Sequence, residues 1–359
     1  MTDIYRRDFL RGSAALILGS SLAAGAETPA GKKKIRIGQI GVGHAHASKL
    51  GVYRKSADYE VVGIVEPNAE LRAAAAEKDP YRDLKWMTRE ELLNVPDLDA
   101  VLVETEVRDL LENAEICLTA GKHIHLDKPA GASFPHLRRI VDQAESKHLM
   151  IQMGYMYRYN PAFLLLQEFL HQGWMGEIFE VHAVMSKVVP PAQRAELSEF
   201  SGGMMFELGC HVIDSILWLF GIPEKVTPFP RHSLASANDT LADNMLAVLE
   251  YPRCTITVRT AAMEVDGFNR RHLAVCGTGG TMHIQPLDDP SATLTFAEPH
   301  GAYKRGMQSL TFPKFTRYVA DAADMAAVIR GEKITSFDLS HDIAVQRTIL
   351  QAAAMPLDK

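Results

Sequence analysis

The chain has 359 residues, enough for two ordinary domains, with 47% hydrophobic and 23% charged residues, the composition of a globular protein. A formal charge of -6 excludes the broad basic surface that nucleic-acid binding requires. Beyond residue 26 no apolar stretch is long enough to span a bilayer, so no stable membrane insertion is expected after processing.

Tyr5-Arg6-Arg7-Asp8-Phe9-Leu10-Arg11 precedes an apolar run from Ala14 to Ala24, and Ala24-Gly25-Ala26 offers an A-x-A-like cleavage site. Paired arginines ahead of Phe-Leu predict a twin-arginine signal peptide over residues 1–26. The expected partner is the twin-arginine export machinery, and the expected location is the periplasm or another exported compartment. A polar linker, residues 27–34, follows.

Ile35 to Ile40 reads as a buried strand feeding Gly41-Val42-Gly43-His44-Ala45-His46 and then a helical stretch to Lys55. A strand, a glycine turn and a helix start form a pyrophosphate cradle, in which Gly41 permits the turn and Gly43 lets backbone approach the ligand. Val42, His44 and Ala45 complete the expected contact loop; His46 stands where the third glycine of the usual pattern would be. A second strand, Tyr59 to Val65, ends in Glu66, placed to accept hydrogen bonds from ribose hydroxyls and to repel a 2′-phosphate. NAD is therefore expected over NADP. No carboxylate lies at ligand spacing from His44 and His46, so they read as loop histidines and no metal is expected.

The alternation continues with a helix at 70–78, a strand at 100–103, a helix at 110–120 and a strand at 123–126. Such alternation implies a parallel sheet with ligands at its carboxyl edge, where Gly41, Glu66, Thr105 and Asp127-Lys128-Pro129 all fall. Further on, 178–186, 245–251, 254–261, 273–276 and 281–284 read as strands, and 315–330 and 341–354 as helices. Glu207, His211 and Asp214 recur at i, i+4 and i+7 on an otherwise apolar helix expected from about 206 to 220. Ionisable groups stacked on such a stripe are costly to bury without a partner or a purpose. Cys117, Cys210, Cys254 and Cys276 form no C-x-x-C pair and read as small hydrophobes, with disulfide pairing left open.

Three segments resemble those of the Gfo/Idh/MocA oxidoreductases: Ala120-Gly121-Lys122-His123 through Asp127-Lys128-Pro129, Gly154-Tyr155 through Arg158 to Pro161, and Gly202-Gly203 through Glu207, Gly209 and His211 to Asp214. The resemblance implies an α/β fold: an N-terminal Rossmann domain with a doubly wound parallel sheet (residues 35–153). A C-terminal α/β domain (residues 154–359) would carry a large, open, mainly antiparallel sheet for substrate binding and homo-oligomer contact. It further implies hydride transfer between a nicotinamide and a hydroxyl of a sugar, glycoside or polyol. In that chemistry Lys128 is the cation at the reacting hydroxyl, His211 the acid or base, and Glu207 its tuning acid. Tyr155, Arg158 and Asp214 are the candidate substrate contacts, although Arg158 could equally pair with an acid across the domain cleft and Asp214 could support the site from behind. Two departures stand out: Glu207 replaces the usual aspartate, and Thr105-Glu106-Val107-Arg108 replaces a "TP…H" segment, so that Glu106 and Arg108 become candidate substrate contacts. The same scaffold also serves glycosidases that oxidise transiently and eliminate, and a non-catalytic nucleotide-binding protein is the remaining alternative.

Overall fold

The computed structural model describes residues 32–236 and 238–358; the twin-arginine segment lies outside them. Six strands form the first sheet: β1 (Ile35–Ile40), β2 (Tyr59–Val65), β3 (Trp86–Met87), β4 (Ala100–Val103), β5 (His123–Leu126) and β6 (Ile151–Met153). Their order is β3-β2-β1-β4-β5-β6 and every pairing is parallel, the doubly wound arrangement expected of a Rossmann domain. Strand β4, Ala-Val-Leu-Val, is wholly buried, as a central strand covered on both faces must be.

The second sheet contains β7 (Ile178–Val184), β8 (Lys225–Arg231), β9 (Asn244–Glu250), β10 (Thr255–Ala261), β11 (His272–Gly277), β12 (Gly280–Ile284), β13 (Ser291–Phe296) and β14 (Gly306–Thr311). It runs β14-β13-β12-β11-β7-β10-β9-β8, antiparallel throughout except where β7 meets β10. In β9 buried Met245, Ala247 and Leu249 alternate with half-buried neighbours, so one face packs inward and the other stays open. Three strands of this sheet went unread in the sequence, as did the short β3 and β6 of the first. β8 contains Pro228 and Pro230, which an edge position tolerates, whereas β13 and β14 are rich in Thr and Ser rather than apolar residues.

One apolar core runs continuously from the first sheet, through Val101, Val103 and Leu126, to Val181, Met245 and Leu273 of the second. A separate cluster covers the other face of the first sheet, where Ile35, Leu50, Tyr53 and Leu102 meet Ala322, Met325 and Ala326. Those last residues belong to the helix Val319–Ile329, and the Tyr59 hydroxyl donates to the Ala322 carbonyl at 2.6 Å. The late chain thus returns to the Rossmann sheet, so a single cut at residue 154 does not separate two cores. Among the described residues no helix is long and apolar enough to cross a membrane. All four cysteines are free thiols.

The expected helix at 206–220 has two parts: a π-helical turn at Met205–Gly209 and an α-helix at Cys210–Phe220. Such turns widen the backbone spiral and are frequent at functional sites. Here the junction lies between Glu207 and His211, which then take different partners.

Candidate active site

At the carboxyl edge of the first sheet, Gly41 ends β1 with φ +92°, a conformation that a side chain would strain. A Cβ there would also lie 2.5 Å from the Thr105 nitrogen, so the β1 and β4 loops can touch only at glycine. Gly43 and Ala45 are exposed along the loop, leaving backbone bare for a ligand's approach. Glu66 follows β2, buried, its two carboxylate oxygens accepting from Val42 N–H and Asn68 N–H, each at 2.9 Å. Each oxygen keeps a further lone pair for a ribose hydroxyl. A positive-φ glycine turn, an exposed bare loop and a strand-end acceptor fit a dinucleotide.

Asp127 ends β5 inside a fully buried polar cluster. Lys49 Nζ donates to its Oδ2 at 2.6 Å and to His125 Nε2 at 2.8 Å, and lies 3.1 Å from Glu104 Oε1. His46 Nδ1 lies 3.2 Å from Asp127 Oδ1, and His44 Nδ1 3.1 Å from Oδ2. His44 Nε2 is 3.1 Å from the Lys128 carbonyl oxygen. Burial pushes the Glu104 carboxyl well up, whereas these cationic and imidazole neighbours hold Asp127 well down despite its own burial. Burial lowers His46 to about 4 and His125 to about 3, so both rings are neutral. Asp127 therefore anchors the loop and is not presented to a cofactor, contrary to the contact expected of it. His44 is likewise committed to the protein. Gly154 completes the packing, since a Cβ there would lie 2.7 Å from Asp127 Oδ1.

Lys128, the next residue, is 1% exposed and donates from Nζ to the Glu207 carbonyl oxygen at 2.9 Å. The Glu207 carboxylate lies 3.6 Å from the same ammonium. Burial is the strongest single influence and opposes the Lys128 charge, but Glu207 together with Cys210 and Asp127 outweighs it and the ammonium is held above its ordinary range. Glu207 is thus partnered to Lys128, and the expectation that it tunes His211 is corrected. The His211 ring instead lies among His46, Tyr155 and Tyr157, with centroids 5.8, 6.4 and 6.0 Å away. Its Nδ1 is 3.5 Å from the Met156 nitrogen, and its Nε2 is buried without a hydrogen-bond partner among the described residues. Burial, then Lys128, push this imidazole well below its ordinary value. A buried nitrogen left unmet costs about 1–3 kcal/mol unless a ligand engages it.

The substrate contacts expected of Arg158 and Asp214 are corrected by their surroundings. Arg158 donates to Asp214 at 2.7 Å and to Asp342 Oδ1 at 2.5 Å, and its guanidinium lies 4.2 Å from the Phe337 ring centroid. His341 Nε2 lies 3.0 Å from Asp214 Oδ1. Arg158, Asp214 and Asp342 are each at most 3% exposed, so these ions serve one another. Tyr155 does lie beside His211. Thr105 sits against Gly41, its hydroxyl donating to the Glu106 carbonyl at 3.2 Å. Arg108 pairs with Glu106 at 3.2 Å and with Glu199 at 3.0 Å, joining the two halves of the chain.

Sequence reasoning missed Lys49, Glu104 and His125, whose only signal was polar residues inside otherwise apolar elements. It also missed Lys187, half-buried just beyond β7 within the field of Glu207 and Lys128. Folding gathers three groups with metal-ligand chemistry that sequence spacing hid: His44–His46–Asp127, Glu104–His125–Asp127 and Asp214–His341–Asp342. In each a fixed side-chain cation, Lys49 or Arg158, already supplies the positive charge.

Two family descriptions match the chain: "Oxidoreductase family, NAD-binding Rossmann fold" over residues 35–155 and "GFO/IDH/MocA C-terminal domain" over residues 163–283. Trans-1,2-dihydrobenzene-1,2-diol dehydrogenase of Bos taurus is 30% identical over 217 residues, 60% of this chain and 62% of that protein. scyllo-Inositol 2-dehydrogenase (NADP(+)) of Bacillus subtilis is 29% identical over 38% of this chain and 39% of its own length. The matched stretches thus span less than two thirds of these relatives. UDP-N-acetylglucosamine 3-dehydrogenase of Acidithiobacillus ferrooxidans has a solved structure with TM-score 0.72 and 19% identity, covering 91% of this chain and 99% of that one. At that identity the likeness establishes the fold.

Proposed function

The chain belongs to the Gfo/Idh/MocA oxidoreductase family, and on that premise we propose that it transfers a hydride between NAD and a hydroxyl of a sugar or polyol. One observation carries the reading. The buried Lys128 ammonium acts electrostatically on the imidazole of His211, whose Nε2 has no partner among the described residues and whose ring centroid lies 5.8 Å from that of His46 on the glycine loop. When bound, the nicotinamide supplies the hydride acceptor. Lys128 lowers the cost of alkoxide character on the reacting oxygen, and Glu207 keeps that lysine charged and in place. His211 Nε2 takes the hydroxyl proton, with the ring's own hydrogen on Nδ1. That tautomer sacrifices only the 3.5 Å approach of Met156 N–H, at the far limit of a hydrogen bond. Glu66 supports NAD over NADP because its carboxylate closes the ribose end of the site.

We further propose export by the twin-arginine route and a homo-oligomer that covers the open face of the second sheet. A panel of sugars and polyols, followed at the NADH absorbance band with the purified chain, tests the activity. Substrate-dependent NADH formation supports the reading, and silence across the panel despite tight NAD binding contradicts it.

A further inference from the structure

Beyond Lys128 and Glu207 the fixed charges do not balance. Lys128 and Lys187 both act on the single carboxylate of Glu207. The Lys187 ammonium has no hydrogen bond or ion pair among the described residues. Alongside, the Arg271 Nε donates to the carbonyl of Ser186, the residue preceding Lys187, at 3.2 Å. Arg271 and Arg317 then share one carboxylate, Asp288, at 2.8 and 2.7 Å. Four cations thus meet two carboxylates, and Tyr157, whose ring is 6.0 Å from that of His211, lies in the field of both arginines.

Neighbouring clusters do not make up the difference. Asp127 is matched by Lys49, while burial pushes Glu104 toward its uncharged form. Asp214 is matched by Arg158, while Asp342 is pushed up in the same way. Burial lowers Lys187, and although Glu207 opposes this, Lys128 and Arg271 add to the lowering. Lys187 is half-buried and the Arg317 side chain is 35% exposed, so these cations remain within reach of an anionic ligand that would complete their pairing.

We infer that the substrate carries an anionic group, a carboxylate or a phosphate, held by Lys187 beside the Arg271–Arg317 pair. The inference rests on the hydroxyl-oxidising reading of the site and narrows its substrate to acidic sugars or polyols. Lys187 is then the specificity residue, able to donate to an anionic oxygen, while Lys128 attends to the reacting oxygen. Asp288 holds the two arginines in register rather than leaving them free to fold over the ligand.

The test is calorimetric titration of the NAD-saturated full chain with D-glucuronate, D-galacturonate, D-glucose 6-phosphate and the neutral sugars D-glucose and D-galactose. Turnover is recorded in parallel at the NADH band. At least about tenfold tighter binding of an anion than of its neutral counterpart is expected. Lys187→Met should lose most of that preference, and Lys187→Arg should keep it. Preference for the uronates alone identifies a carboxylate site, and preference for the phosphate alone a phosphate site. Neutral sugars binding as tightly as the anions, no anion binding at all, or an unchanged preference in Lys187→Met overturns the inference. Anion preference without turnover supports this site and counts against the hydride-transfer reading instead.

Discussion

The Lys128 ammonium donates to the Glu207 backbone carbonyl at 2.9 Å and lies 3.6 Å from the same residue's carboxylate. One residue on a π-helical turn thus positions the lysine and keeps it charged. Glu207→Gln retains the carbonyl contact and removes the charge. Because Glu207 is the main influence raising Lys128, the variant's ammonium should lose its proton at lower pH. The alkaline limb of the kcat/KM profile should move to lower pH and kcat should fall by roughly ten- to a hundredfold. An unchanged alkaline limb would separate Glu207 from Lys128.

Arg158 is a structural ion. Arg158→Leu leaves Asp214 and Asp342 facing each other without a cation, and it should destabilise the chain by roughly 3–5 kcal/mol in urea unfolding. A substrate contact would behave differently, raising KM with unfolding unaltered.

On the proposed reading Glu66 sets cofactor choice. Glu66→Ala should weaken NAD binding by on the order of tenfold and narrow the gap between NAD and NADP, as read by fluorescence titration. NADP binding more weakly than before would show that the carboxylate does not repel the 2′-phosphate.

Four strands of the first sheet were legible as short apolar runs broken by helices, whereas β3 and β6, two and three residues long, were too short to show a pattern. Lys128 at a strand end and His211 amid apolar neighbours could be singled out by their own chemistry, and both side chains are buried in the fold. Pairings were not legible, because they depend on distance across the chain. Glu207 looks like a partner of His211 at i, i+4, yet Lys128, 79 positions away, takes it. Arg158 reads equally well as a ligand contact or an ion pair until Asp342 arrives from 184 positions further on. His44 and His46 seemed to lack a carboxylate because Asp127 is 81 residues beyond His46.

Asp321 is buried, and that burial pushes its carboxyl up to about 7 from an ordinary 3.8. A raised folded value favours folding while the group is protonated. Its contribution is therefore full below the unfolded value and is lost as pH rises through the folded value. Asp321→Asn should remove that loss, making the variant more stable than the parent at pH ~8 by on the order of 4 kcal/mol, with little advantage at pH ~4. Melting curves at the two pH values measure it; a gain of equal size at both would assign the effect to packing rather than to charge.

The central claim is that Lys128 serves the reacting oxygen rather than the cofactor's binding. It is tested most directly by measuring NADH binding to the Lys128→Met variant by fluorescence and then, with NAD supplied, following substrate oxidation at the NADH band. NADH binding close to that of the parent, with turnover lowered at least about a thousandfold, is the predicted result. Turnover equal to the parent's, or loss of turnover only because NADH no longer binds, would contradict it.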